Sequence, residues 1–172
     1  MEKIKLIEPV EIALNMEKDG RKFYLESAEK VTNEIIKNLL RSLAKDEEDH
    51  YNIFKKIYDS FKQNDSWPQE AKITANSDSR TIFEEYAVKN KEGVKKAGDE
   101  MDIVKMALEI EKKSYVFYKK LSDEIEDNNI KMFFEKLSDI ENEHYKLLDD
   151  TYQYLNNPSD WFVGQEQPIF EG

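Results

Sequence analysis

All four glutamates of two Glu…Glu-x-x-His units, and both histidines of the 172-residue chain, fall where a bundle helix needs leucines. Stepping alternately by three and four, one stretch reads Ile36, Leu40, Leu43, Glu47, His50, Phe54, Ile57 and Phe61. A second reads Ile130, Phe134, Leu137, Glu141, His144, Leu148, Thr151 and Leu155. Two more read Val10, Ala13, Glu17, Gly20, Tyr24 and Val104, Ala107, Glu111, Ser114, Tyr118, Leu121. This spacing is the inward seam of a packed helix. Any fold open to this chain must therefore place several carboxylates together in its core.

The four seams form two copies of one hairpin. Glu111 lies 94 residues after Glu17, and Glu141 and His144 lie 94 after Glu47 and His50. Ala107, Phe117-Tyr118, Leu137 and Tyr145 repeat Ala13, Phe23-Tyr24, Leu43 and Tyr51 at the same offset. So long a period marks a duplicated hairpin related by a pseudo-twofold axis, not a solenoid array.

The breaks fit four helices. Pro9, Pro68, Pro158 and Pro168 leave long proline-free stretches between them. The expected helices run over about 9–30, 33–63, 99–125 and 128–156. Pro9 suits a first helical turn, Thr32 or Asn33 and Asp127 or Asn128 suit caps, and Pro158 suits a stop. No stretch alternates at period two. The chain reads as all-α, with a bundle over 1–157, a long crossover over 65–98 between the second and third helices, and a tail over 158–172. The crossover, where 81–90 suits one short helix, returns the chain along the bundle. Trp161, Phe162 and Phe170 suit packing of the tail on the bundle or on a second subunit.

Burying four carboxylates side by side costs several kcal/mol for each uncompensated ion. Protonation or nearby Lys or Arg would relieve it, but no Lys or Arg stands in these seams. Two divalent cations would balance the four negative charges. Glu47 with His50, and Glu141 with His144, stand one turn apart on one face, so each imidazole can cap one metal. Glu17, Glu47, His50, Glu111, Glu141 and His144 thus make the ligand set of di-iron and di-manganese carboxylate bundles. Oxygen donors with one imidazole per metal suit Fe or Mn equally and leave coordination positions open. Gly20 and Ser114, three residues after Glu17 and Glu111, either leave room there for a small ligand or let helices approach closely.

Other classes are excluded more simply. A net charge of −11 argues against nucleic acid or an anionic membrane as partner. No apolar run exceeds the four residues 115–118, so neither a transmembrane helix nor a signal peptide is expected. With no cysteine there is no disulfide framework, Cys-ligated metal or thiol nucleophile. Cytoplasmic location is the default expectation.

Over both helix pairs the sequence resembles the ferritin-like superfamily, specifically rubrerythrin-type di-iron proteins. The resemblance rests on Glu17 with Phe23-Tyr24, Glu47-Glu48-Asp49-His50, Glu111 with Phe117-Tyr118, and Glu141-Asn142-Glu143-His144. It implies a ferritin-like four-helix bundle, two Fe ions per chain, and reaction with H2O2 or O2. It also implies that Tyr24 and Tyr118 hydrogen-bond the ligand carboxylates. Three features depart from that pattern. Without cysteine there is no rubredoxin domain, so electrons must come from a separate donor protein such as a rubredoxin. Ser114 stands where rubrerythrins carry a further glutamate, which puts the redox-linked ligand exchange in doubt. Glu48 stands where bacterioferritin has its haem methionine, so no haem is expected, and no fifth helix follows Asn156 to suggest a storage shell.

The expected function is a di-iron carboxylate oxidoreductase, a peroxidase by resemblance, in a homodimer or higher homo-oligomer. Three readings stand beside it: a ferroxidase or iron-handling protein, a manganese catalase-like enzyme, and a scaffold in which metal only stabilises the bundle.

Overall fold

The computed structural model describes residues 6–73 and 98–160. Among them are four helices and no strand: α1 (Ile7–Ala28), α2 (Glu34–Asn64), α3 (Gly98–Glu124) and α4 (Asn128–Asn156). α1 pairs with α2 and α3 with α4 as hairpins, and α1 meets α3 where the hairpins join. The chain has the all-α, ferritin-like architecture. None of the described helices is long and apolar enough to cross a membrane.

Local chemistry sets the helix ends. Asn33 starts α2 by accepting hydrogen bonds from the backbone N–H groups of Ile35 (2.9 Å) and Ile36 (3.4 Å). Asp127 does the same for α4, accepting from Asn129 (2.9 Å) and Ile130 (3.2 Å). Of each pair of candidate caps, these are the ones used. Asp65 ends α2 in the left-handed region at φ 49°, a conformation that Asp tolerates better than most residues. α1 departs from expectation: it begins at Ile7, two residues before Pro9, and stops at Ala28, two residues short of 30. Pro9 remains in the first turn, where its missing N–H leaves no helical bond unmade. A further helical turn occupies 158–160, so the tail does not begin as irregular chain. The short helix expected at 81–90, most of the crossover, and Trp161, Phe162 and Phe170 lie outside the described residues.

The core has two apolar blocks. One is mainly aliphatic, including Leu39, Leu40, Leu43, Leu147 and Leu148. The other is rich in rings, including Phe54, Tyr118, Phe133 and Phe134, with Trp67 packed against it from the start of the crossover. Between the blocks lies a buried polar layer of Glu17, Glu47, His50, Glu111, Glu141 and His144, all at least 95% inaccessible.

Glu100 ties the hairpins together. Its Oε1 accepts from the backbone N–H groups of Thr32 and Asn33, both at 2.8 Å, and from Thr32 Oγ1 at 3.2 Å. A carboxylate at the start of α2 also complements the positive end of that helix. Glu100→Ala removes the acceptor and leaves two backbone donors without it, so stability should fall by about 2 kcal/mol. Glu100→Gln, which retains one acceptor oxygen, should recover about half. The urea unfolding midpoints of the three proteins test this.

Candidate metal centre

Each helix supplies the polar layer from mid-length, where neither end frays. Glu17 comes from α1, Glu47 and His50 from α2, Glu111 from α3, and Glu141 and His144 from α4. Their ligating atoms form two overlapping groups, Glu17/Glu47/His50/Glu141 and Glu47/Glu111/Glu141/His144. Within each group the atoms lie within 4.8 Å of one another. Glu47 and Glu141 belong to both groups, while Glu17 and Glu111 belong to one each. The folded chain therefore brings together all six residues singled out in the sequence.

The imidazole contacts define the two halves. His50 Nδ1 lies 3.3 Å from Glu17 Oε2 and 3.3 Å from Glu141 Oε1. His144 Nδ1 lies 3.5 Å from Glu111 Oε2, 3.6 Å from Glu141 Oε2 and 3.9 Å from Glu47 Oε1. Glu111 Oε2, both Glu141 oxygens and His144 Nδ1 are buried without a hydrogen-bond partner. Burying such atoms unpaired is costly. Their convergence fits a shared cation, as do hard oxygen donors with one imidazole on each side.

Tyrosines brace the layer crosswise. Tyr24 O–H donates to Glu111 Oε1, and Tyr118 O–H donates to Glu17 Oε1. Each tyrosine thus holds the glutamate of the opposite hairpin and leaves that glutamate's second oxygen facing inward.

Asp46 is the residue that the sequence reading missed. It is buried, and its Oδ2 lies 3.2 Å from His144 Nε2, where it receives the ring N–H and leaves Nδ1 turned to the cluster. A signal was present: Leu39 and Asp46, seven residues apart, each stand one position before the seam residues Leu40 and Glu47 and so flank the seam on one side. The residue 94 positions after Asp46 is Ile140. His50 therefore has no matching carboxylate from the repeat, and the two halves are chemically unequal.

Gly20 faces a carboxylate. A Cβ there would meet Glu47 Oε2 at 3.5 Å and Glu47 Cγ and Cδ at 3.7 Å. The space beside it is filled by Glu47, which gives the small residue a reason in packing. Gly20→Ala should be accommodated and raise helix stability by up to about 1 kcal/mol. Gly20→Leu should displace the Glu47 carboxyl and weaken Mn2+ affinity, measured by calorimetric titration. Equal affinities in wild type and Gly20→Leu would contradict the packing assignment.

The electrostatics show how strongly the layer draws in positive charge. Burial pushes Glu47 well above the usual carboxylate range, and Glu17 and Glu141 push it the same way. Glu111 is raised to about 8, first by burial and then by Glu141. Burial also acts to raise Glu141, but the close His144 and His50 imidazoles outweigh it and hold that carboxyl down. Burial disfavours charge on the histidines, yet the carboxylates win. His50 is raised to about 10, and His144 lies well above its ordinary value. Burial likewise holds both tyrosines well above their ordinary range, so they remain donors.

A group with a raised folded-state pKa stabilises fully below its unfolded value and loses that contribution as pH rises through the folded value. For Glu111 the window runs from 4.5 to about 8. For His50 it runs from 6.5 to about 10. Glu141, held down, acts oppositely and only in acid, below 4.5. The melting temperature of the metal-free chain should therefore fall between about pH 6 and about pH 9. Saturating Mn2+ should remove that fall by replacing the protons. A flat metal-free profile would sink this account.

A helical bundle crossed by a buried carboxylate and histidine layer compatible with a di-iron site defines the class of ferritin-like carboxylate proteins. The rubrerythrin family profile matches residues 8–152, with a second match over 102–166. The chain belongs to the rubrerythrin family. No curated protein and no solved structure matches it significantly.

Proposed function

We propose that the chain is a di-iron carboxylate oxidoreductase that reduces a small oxidant, hydrogen peroxide or O2, and is reset by a separate electron donor such as a rubredoxin. The observation that carries this reading is the sharing of Glu47 and Glu141 between two four-residue donor groups, each with its own histidine. Two metal ions would be held there, with Glu47 and Glu141 available to both. Glu17 with His50 would complete one position, and Glu111 with His144 the other. Bound there, two iron ions would supply electrons and Lewis acidity to the oxidant.

The protein's own part is to position, brace and exclude. Tyr118 and Tyr24 fix one oxygen of Glu17 and of Glu111, so neither carboxylate is free to rotate out of the layer. Asp46 fixes the tautomer of His144 by accepting its Nε2 proton. The apolar blocks on either side keep bulk water away, which strengthens each electrostatic contact within the layer. Family membership favours peroxide as the oxidant, since the donor set would serve O2 equally well.

Anaerobic reconstitution with Fe2+, desalting and elemental analysis should give about two irons per chain. The Glu47→Ala, Glu141→Ala double variant should hold almost none. Peroxide added to the reduced wild type should be consumed stoichiometrically with the iron, as followed by absorbance. Iron retained by the double variant would contradict the shared-ligand assignment. Full loading with no response to peroxide or O2 would leave the metal a structural role and overturn the enzyme reading.

A further inference from the structure

The ring-rich half of the core makes a path that the function above does not use. Trp67, partly exposed at the start of the crossover, packs on Phe134 with ring centroids 5.8 Å apart. Phe134 lies nearly parallel to Tyr118, at 6.1 Å and 25°. A second track runs from Trp67 to Phe133 (5.1 Å), to Phe54 (5.8 Å), and to Tyr118, which stacks on Phe54 at 5.8 Å and 18°. Tyr118 ends the path at the polar layer, its hydroxyl donating to Glu17. Trp161 stands 94 residues after Trp67, outside the described residues, and among the described residues the other end of the layer has no equivalent run of rings. The residues 94 positions before Phe133 and Phe134 are Leu39 and Leu40, and the one 94 after Phe54 is Leu148. Tyr24 therefore lies among aliphatic side chains, with Phe23 as its one ring contact among the described residues.

We propose that Tyr118 and Trp67 are a redox pair, bridged by Phe134 and by Phe133 with Phe54, that carries single electrons between the carboxylate layer and the protein surface. Trp and Tyr are the side chains most readily oxidised by one electron when cysteine is absent, and this chain has none. Phenylalanine is too hard to oxidise to hold the charge, so the Phe rings act as closely packed bridges. When the site is left one electron short, Tyr118 supplies that electron and its phenolic proton passes along the hydrogen bond to the Glu17 carboxylate. Trp67 then returns an electron to the tyrosyl radical, which recovers its proton from Glu17 while the indole loses its N–H proton to water. Tyrosine is the easier of the two to oxidise, so this step runs uphill and is drawn forward by reduction of the small Trp67 radical population. A soluble one-electron donor of the thiol class restores Trp67 with one electron and one proton. The buried layer is thereby spared a lasting radical.

The use of the path depends on the dinuclear reading, but the path itself is tested without metal, so the two can fail separately. In the metal-free full-length chain carrying Trp161→Phe, Trp67 is the sole tryptophan. Azidyl radicals produced by pulse radiolysis take one electron from it, giving azide and the Trp67 radical. The transfer expected next forms the Tyr118 radical and protonates Glu17, so tyrosyl absorbance should rise as tryptophanyl absorbance decays. The rate should be first order and independent of protein concentration. Tyr118→Phe should abolish this phase, and Tyr24→Phe should leave it unchanged. Phe134→Leu, which copies the other hairpin, should slow it by at least about tenfold while the melting curve remains cooperative. If Tyr118→Phe is too unstable to read, Phe134→Leu with the Phe54→Leu exchange decides the matter, since both tracks are then cut. A phase that survives Tyr118→Phe, or survives the cutting of both tracks, overturns the proposal.

Discussion

Everything else in this molecule is arranged around the repulsion of four carboxylates held in one buried layer. In water such groups would be solvated and screened. Here apolar blocks above and below deny them both forms of relief. The layer can persist only with compensating positive charge, and the described chain supplies none from lysine or arginine: its ion pairs with those residues lie on the exposed surface. What remains is protons or metal ions. The raised pKa of Glu47, Glu111 and both histidines expresses the first demand, and the two shared donor groups express the second.

The hairpin duplication supplies the geometry for that compensation. A pseudo-twofold arrangement presents the same three ligand types from each side, so two cation positions arise together. Crossed tyrosine bonds then lock the halves to each other, because each phenol reaches the carboxylate of the other hairpin. Cutting one brace therefore frees a ligand on the far hairpin, and the halves cannot loosen independently.

The symmetry is incomplete where chemistry departs from packing. Asp46 holds His144, whereas Ile140 occupies its repeat position. Phe134 stacks on Tyr118, whereas Leu40 takes the corresponding place beside Tyr24. Glu100 caps the α1–α2 turn, whereas Leu6 stands 94 residues earlier. These exchanges give the two ends of the bundle different jobs: a polar tie and an aliphatic block at one, a ring-rich block at the other.

The helices, their seams, the duplication and the six residues of the polar layer were legible in the sequence, because helical periodicity and a fixed offset of 94 are properties of position along the chain. So was the need for positive charge, since no basic residue occupies a seam. The start of α1 was misplaced by two residues because proline is admissible anywhere in a first turn, and the helix extends back to Ile7 without a side-chain cap. What only the tertiary structure decided were relations between helices that no periodicity encodes. These are which carboxylate each expected tyrosine takes, Glu111 for Tyr24 and Glu17 for Tyr118, the Asp46–His144 pair, and the docking of Trp67 on Phe133 and Phe134. Each depends on how far one helix is rotated and shifted against another. That is settled by the packing of the whole core, whereas the seam of a single helix follows from its own turn of 3.6 residues.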